Sequence, residues 1–130
     1  MSIVLTTQTL YDGPRRAVIQ ASGMTVDDSA ASNLSLAILV DLSVLDPVPE
    51  QVRVETISGG VEFGVVELYW AAIAPVRFAV LSGNALLFDY RATGPLRMPA
   101  EGTGNILIST VGFAPTSTFM LELGLIKRVL

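Results

Sequence analysis

Chemistry in this chain would have to come from twelve carboxylates, eight lysine and arginine side chains and three tyrosines, because histidine and cysteine are absent. Without cysteine there are no disulfides, no thiolate metal sites and no thiol nucleophile. Without histidine the commonest general base, the usual triad partner and the favourite zinc ligand are missing. Glu62 and Glu67 are the carboxylates that could in principle do glycosidase work. They differ in strand parity and share a face only if a bulge lies between them. Asp27 and Asp28, in the polar loop GMTVDDSAASN from Gly23 to Asn33, invite a calcium reading. An EF-hand loop needs oxygens at alternate positions, a central glycine and a closing glutamate, none of which is present, so solvated loop carboxylates are the simpler reading. The GTG at Gly102 to Gly104 lacks the Lys-Ser/Thr pair and following helix of a phosphate loop. No catalytic, cofactor-binding or metal-ligating residue is assigned, and enzyme activity is not expected.

Binding is the other chemistry open to these residues. Tyr69, Trp70 or Tyr90 could offer a stacking face to a sugar, whereas Trp70, the sole tryptophan, could equally be the largest plug of a core. The net charge is −4, and the basic residues are scattered along the chain, with only Arg15–Arg16 and Lys127–Arg128 adjacent. A nucleic-acid footprint needs a basic stripe, so no nucleic-acid partner is expected.

The elements that must position these residues read as strands. The run Gly60 to Val76, GVEFGVVELYWAAIAPV, holds Trp70 and is punctuated by Gly and Pro. Val61, Phe63 and Val65 share one parity; Val66, Leu68 and Trp70 share the other. Such a switch is repaired by a β-bulge, and Gly64 lies beside it. Leu34 to Ser43 alternates cleanly, with Leu34, Leu36, Ile38, Val40 and Leu42 facing one way, and is expected as a half-buried strand. Asp46-Pro47-Val48-Pro49-Glu50 is a rigid connector. Gln51 to Ser58 is a strand, and Gly59-Gly60 is expected to turn it as a hairpin into the tryptophan run. Val76 to Leu81 is a strand that Ser82-Gly83-Asn84 turns into Ala85 to Tyr90. Arg15 to Ser22 and Asn105 to Val111 are strands, and Arg91 to Gly104 is a loop. Thr118 to Leu125 is a strand with Phe119, Leu121, Leu123 and Leu125 on one face, and Ile126 to Leu130 extends it. Ser2 to Leu10 has strand propensity on both parities, so it is either a first strand or an extended arm that buries both faces or lies on a neighbour.

About eight short strands at near-regular spacing, with no sustained helical period, predict an all-β, antiparallel β-sandwich, narrowed to a jelly roll, as a single domain over residues 1–130. Trp70 is the expected core anchor, with Leu36, Ile38, Val66, Leu68 and Leu121 as its companions. The composition is 51% hydrophobic and 15% charged, against a typical charged share of about 25%. A small domain cannot hide such an excess in its own core, which points to a subunit interface and self-association, as a trimer. The apolar run Gly102 to Leu121 is broken by Gly, Pro, Thr and Ser and reads as strands rather than a membrane span, and Met1 to Leu10 lacks the basic start and apolar core of a signal peptide.

Three stretches resemble small structural proteins from the virion gene clusters of tailed bacteriophages. They are TTQTLYDGPRRAVIQASGM (Thr6 to Met24), LVDLSVLDPVPEQVRVETI (Leu39 to Ile57), and ELYWAAIAPV taken with GTGNILISTVGFAPTSTFMLELGLIK. Together they cover more than half the chain and are turn-and-strand patterns rather than catalytic motifs. The stretch AAIAPV departs from the more polar continuation of the tryptophan strand in that family. The resemblance implies a cement or decoration protein on the capsid exterior, partnered by the major capsid protein, with no cofactor and no membrane. The resemblance carries over no functional residue; the strand propensity of the N-terminal segment makes Ile3, Val4, Leu5, Thr6 and Thr7 the expected interface arm. The alternatives are a glycan- or receptor-binding module of a tail or fibre, and a neck or tail subunit.

Overall fold

The computed structural model describes residues 3–25, 34–99, 102–113 and 117–128. Over these residues the chain runs through β1 (Ile3–Asp12), β2 (Arg16–Thr25), β3 (Ala37–Val40), β4 (Gln51–Trp70), β5 (Val76–Asp89), β6 (Leu96–Arg97), β7 (Ile106–Val111) and β8 (Thr118–Arg128), with one 3-10 turn at Leu42–Val44. All pairings are antiparallel, in the order β1-β2-β8-β4-β7-β3, with β5 and β6 on the other side of β4.

The organising element is the long β4–β5 hairpin. From Gln51 to Glu62, β4 pairs with β8; from Val65 to Trp70 it pairs with β7. β5 follows it through the same bend, with Leu86 to Asp89 beside the first half and Val76 to Leu81 beside the second. The hairpin therefore belongs to two layers. The first is β1-β2-β8 with the N-terminal half of β4; the second is β3-β7 with the C-terminal half. The apolar faces of the two layers meet in one core, an antiparallel β-sandwich of eight strands. The narrower jelly-roll topology is not established by this strand order.

The bend corrects two expected turns. Gly59-Gly60 is not a hairpin turn, and Ser82-Gly83-Asn84 does not end a strand; both lie inside continuous strands. Gly59 has φ +133°, and a side chain there would overlap the Met120 carbonyl oxygen. A Cβ on Gly60 would sit 2.7 Å from the Asn84 carbonyl oxygen. These glycines let two neighbouring backbones approach β4 from either side, a use that looks identical to turn chemistry in sequence. The expected bulge is present and large: Val61 faces Gly83 and Val66 faces Leu81, so five residues of β4 answer two of β5. Within it Phe63 takes φ +59° and points to solvent, 66% exposed, while Ser117 donates to its carbonyl at 2.5 Å. The expected pairing of Phe63 with Val61 on an inner face is thus corrected.

The strand expected from Leu34 to Ser43 is also corrected. Leu36 takes φ +50°, which breaks the alternation, and the strand is only Ala37–Val40. A register shift between Ile38 and Val40 brings the consecutive residues Leu39 and Val40 both inward. Leu36 and Ile38, expected beside Trp70 in the core, are exposed, Ile38 at 55%. Upstream the chain is held by side chains of β7: Thr110 Oγ1 accepts from the Leu34 amide and Ser109 Oγ from the Leu36 amide, each at 2.8 Å. These bonds override the period-2 pattern. Downstream, Asp41 caps the 3-10 turn, its carboxylate accepting from the Ser43 amide at 3.0 Å and the Ser43 hydroxyl at 2.7 Å.

Elsewhere parity reads through to burial. Ala17, Ile19 and Ala21 of β2, Val52 and Val54 of β4, and Phe119, Leu121, Leu123 and Leu125 of β8 are all buried. The β2 strand continues to Thr25, so Gly23 to Thr25 are strand rather than loop. Asp27 and Asp28 lie outside the described residues.

Candidate binding surfaces

Trp70 is a core residue, 2% exposed. Its position is set by the parity switch in β4, which turns Val66, Leu68 and Trp70 inward. Ile106 is its cross-strand partner on β7, and the Phe78 ring stacks on it at 4.5 Å between centroids. Val66, Leu68 and Leu121 share that core, as expected. The indole has no free face for a sugar. Tyr90 is partly buried and stacks on Phe88 at 6.4 Å.

Tyr69 points the other way, onto the outer face of the second layer. Its hydroxyl donates to Glu67 at 3.2 Å, and Arg77 donates to the same carboxylate at 2.6 Å. Partial burial raises the Tyr69 pKa, and the neighbouring Glu67 carboxylate raises it further. In the register, Leu107 and Ile38 continue the row from Tyr69, Val80 lies beside Glu67, and Val111 pairs with Val65. A polar triad of Tyr69, Glu67 and Arg77 thus sits within an otherwise apolar sheet face. The switch between layers leaves Glu62 on the outside of the first layer and Glu67 on the outside of the second, so the two do not form a facing pair. No group of three or more His, Cys, Asp or Glu that could hold a metal occurs among the described residues. No helix among them is long and apolar enough to cross a membrane.

The arm residues Ile3, Val4, Leu5, Thr6 and Thr7 form the first half of β1, which pairs with β2 from Ile3 to Asp12 and ends the strand order. Ile3 and Leu5 are half-buried against the core, whereas Val4, Thr6 and Thr7 are exposed. Of the two forms expected for it, first strand or extended arm, the segment takes the first, and within this chain the sandwich covers one of its faces.

β1 and β8 are tied at their far ends by a residue that parity alone makes surprising. Lys127 continues the inward row Phe119, Leu121, Leu123, Leu125, and its side chain is fully enclosed. Its ammonium donates to Asp12 and to the carbonyls of Asp46 at 3.1 Å and Pro47 at 3.3 Å. Asp12 also accepts from the Asp46 amide at 2.9 Å. The Lys127 hydrogen bond, then the Asp46 amide, hold the Asp12 carboxyl below its ordinary value of 3.8. Because the folded state favours the ionised form, this carboxylate's contribution to stability is fully present above the ordinary aspartate range. It is lost as pH falls through the lowered value. Asp89 behaves alike at the surface: two hydrogen bonds from the Arg91 guanidinium, at 2.6 and 2.9 Å, and one from its backbone amide bring it to about 2. Carboxyl-detected NMR titration is expected to place the Asp89 midpoint about two units below an unfolded-chain aspartate. A midpoint near 3.8 would mean that the Arg91 fork is not formed in solution.

The fold also assembles what the sequence scatters. Seven of the eight basic residues, all but Arg77, come to one end of the first layer. The register Arg16–Ile126–Arg53–Arg97 puts three arginines in one cross-strand row on its outer face. Arg16 reaches Glu55 at 3.4 Å and Arg91 is held by Asp89, while no carboxylate among the described residues pairs with Arg53 or Arg97. No sequence signal marks this row, since its members lie 37 and 44 positions apart (53 − 16 and 97 − 53) and only strand register joins them.

Fold and surfaces together define an antiparallel β-sandwich with a long edge strand, uncharged from Ile3 to Tyr11, and mixed apolar and polar sheet faces. Comparison with protein-family models found no match, and comparison with curated proteins found none either.

Proposed function

We propose that this chain is a structural protein of a tailed-bacteriophage virion, a cement or decoration protein that sits on the capsid exterior, self-associates as a trimer and bridges neighbouring copies of the major capsid protein. The observation that carries the binding role is β1. Natural edge strands are usually blunted by charge, Pro or short length, because their outward backbone groups invite another strand. β1 has ten residues, and from Ile3 to Tyr11 it contains neither charge nor Pro. A strand added to that edge would satisfy its backbone and bind a neighbour. Exposed Phe63, Ile73 and Leu87 add apolar contact surface. The virion setting rests on the likeness of the three stretches to phage structural proteins. Enclosure of Trp70 weighs against the glycan-binding alternative, which needed an aromatic face in solvent.

A reconstruction of the virion whose genome encodes the chain tests the setting: density for this sandwich is expected on the outside of the head shell, and its location in the neck or fibre overturns the proposal. Deletion of residues 2–9 tests the edge. β2 stays paired to β8 along Arg16 to Met24, so the truncated protein is expected to melt cooperatively at a lower temperature. It should sediment as a monomer and fail to cosediment with capsids. Unchanged assembly and capsid binding would remove β1 from the interface.

A further inference from the structure

We infer that the arginine row of the first layer is a binding site for an extended, acidic protein segment. Adjacent strands lie about 4.8 Å apart, so the row Arg16–Ile126–Arg53–Arg97 spans about 15 Å across the sheet. Val52 and Val54 are buried on either side of Arg53, which turns its side chain outward; Leu96 packs on the core and Arg97 is exposed. Arg53 and Arg97 are direct cross-strand partners. Like charges in that relation destabilise a sheet, and no carboxylate among the described residues relieves them. Two like-charged guanidinium groups held as cross-strand partners are what a carboxylate ligand neutralises, through paired N–H···O bonds that lysine would not give. An extended peptide presents same-side residues about 7 Å apart, a spacing that flexible arginine side chains can meet from Arg16 to Arg97. The half-buried Ile126 between Arg16 and Arg53 offers an apolar contact inside the row. At the Arg16 end, Tyr11, Pro14, Arg15 and Arg16 line a shallow depression that would extend the row. A long nucleic acid fits less well, because the chain as a whole carries −4 and repels a polyanion beyond the row itself.

The test is titration of the full-length protein with octaglutamate, followed by NMR of the arginine side-chain Nε–H signals, with a twelve-nucleotide single-stranded DNA and inorganic phosphate as comparators. Arg16, Arg53 and Arg97 are expected to shift together while Arg77, on the other layer, stays put. Affinity should fall about tenfold between 20 and 200 mM salt, as screening of a partly exposed site requires. Arg97→Glu is the informative variant: it places a carboxylate opposite Arg53, so it should abolish the octaglutamate shifts and raise the melting temperature together. Retained binding in that variant, equal shifts at Arg77, or stronger binding of the DNA than of octaglutamate would each overturn the assignment, the last in favour of a phosphate-backbone ligand.

Discussion

Replacing Trp70 with alanine is expected to cost about 3–5 kcal/mol, the range for truncating a buried aromatic. The residue is enclosed, stacked on Phe78 and paired with Ile106, at the end of the inward row Val66, Leu68, Trp70. Nothing small can fill the space between two rigid layers, so the cavity persists and the lost dispersion contacts add to the lost burial. Trp70→Phe should cost clearly less, since it keeps an aromatic ring against Phe78. Urea denaturation followed by circular dichroism is the suitable measurement, because the variant removes the sole tryptophan and with it the fluorescence signal. The midpoint should drop with an unchanged slope. A loss below about 1 kcal/mol would mean that the ring is at the surface, and would return weight to a sugar-binding role for the aromatic residues of β4.

The second large effect is expected at Asp12. Asp12→Ala leaves the Lys127 ammonium enclosed with only the Asp46 and Pro47 carbonyls, and removes the acceptor of the Asp46 amide. Breaking a buried pair in this sense costs about 3 kcal/mol, because the remaining charge cannot reach water. Lys127→Met is expected to cost less: methionine matches the apolar stem and continues the inward row of β8, and the Asp12 side chain, 22% exposed, can be hydrated. The double variant should be more stable than Asp12→Ala alone. Equal losses for the two single variants, or strict additivity in the double, would show that the ion pair does not act as a unit. The pair also anchors the last residues of β1 to β8 and so helps hold the edge strand on the sandwich.

How much of this was legible beforehand depends on whether neighbours along the chain or across the sheet decide the outcome. Alternation alone places Phe119, Leu121, Leu123 and Leu125 inside, and Val52 and Val54 with them, because a strand side chain's face depends only on its parity. The parity switch before Val66 likewise announces a bulge and an inward Trp70. The same rule fails at Leu36 and Ile38, where hydrogen bonds donated by the Leu34 and Leu36 amides to the Thr110 and Ser109 hydroxyls, more than seventy positions away, set the backbone and expel residues whose own pattern looked interior. It fails again at Gly59-Gly60 and Gly83, since a glycine that lets a neighbouring backbone approach and a glycine that turns a chain have the same local signature.

Composition and periodicity, being sums over local preferences, determined that the chain is an antiparallel all-β sandwich with Trp70 in its core and an extended segment at its start. Tertiary structure alone decided that β4 and β5 bend through two layers, that β1 is an edge strand, and that Lys127 is buried against Asp12. It alone drew Arg16, Arg53 and Arg97 into one row. Each of those outcomes is a matter of which strand lies beside which, and cross-strand register is a long-range relation that no window of sequence contains.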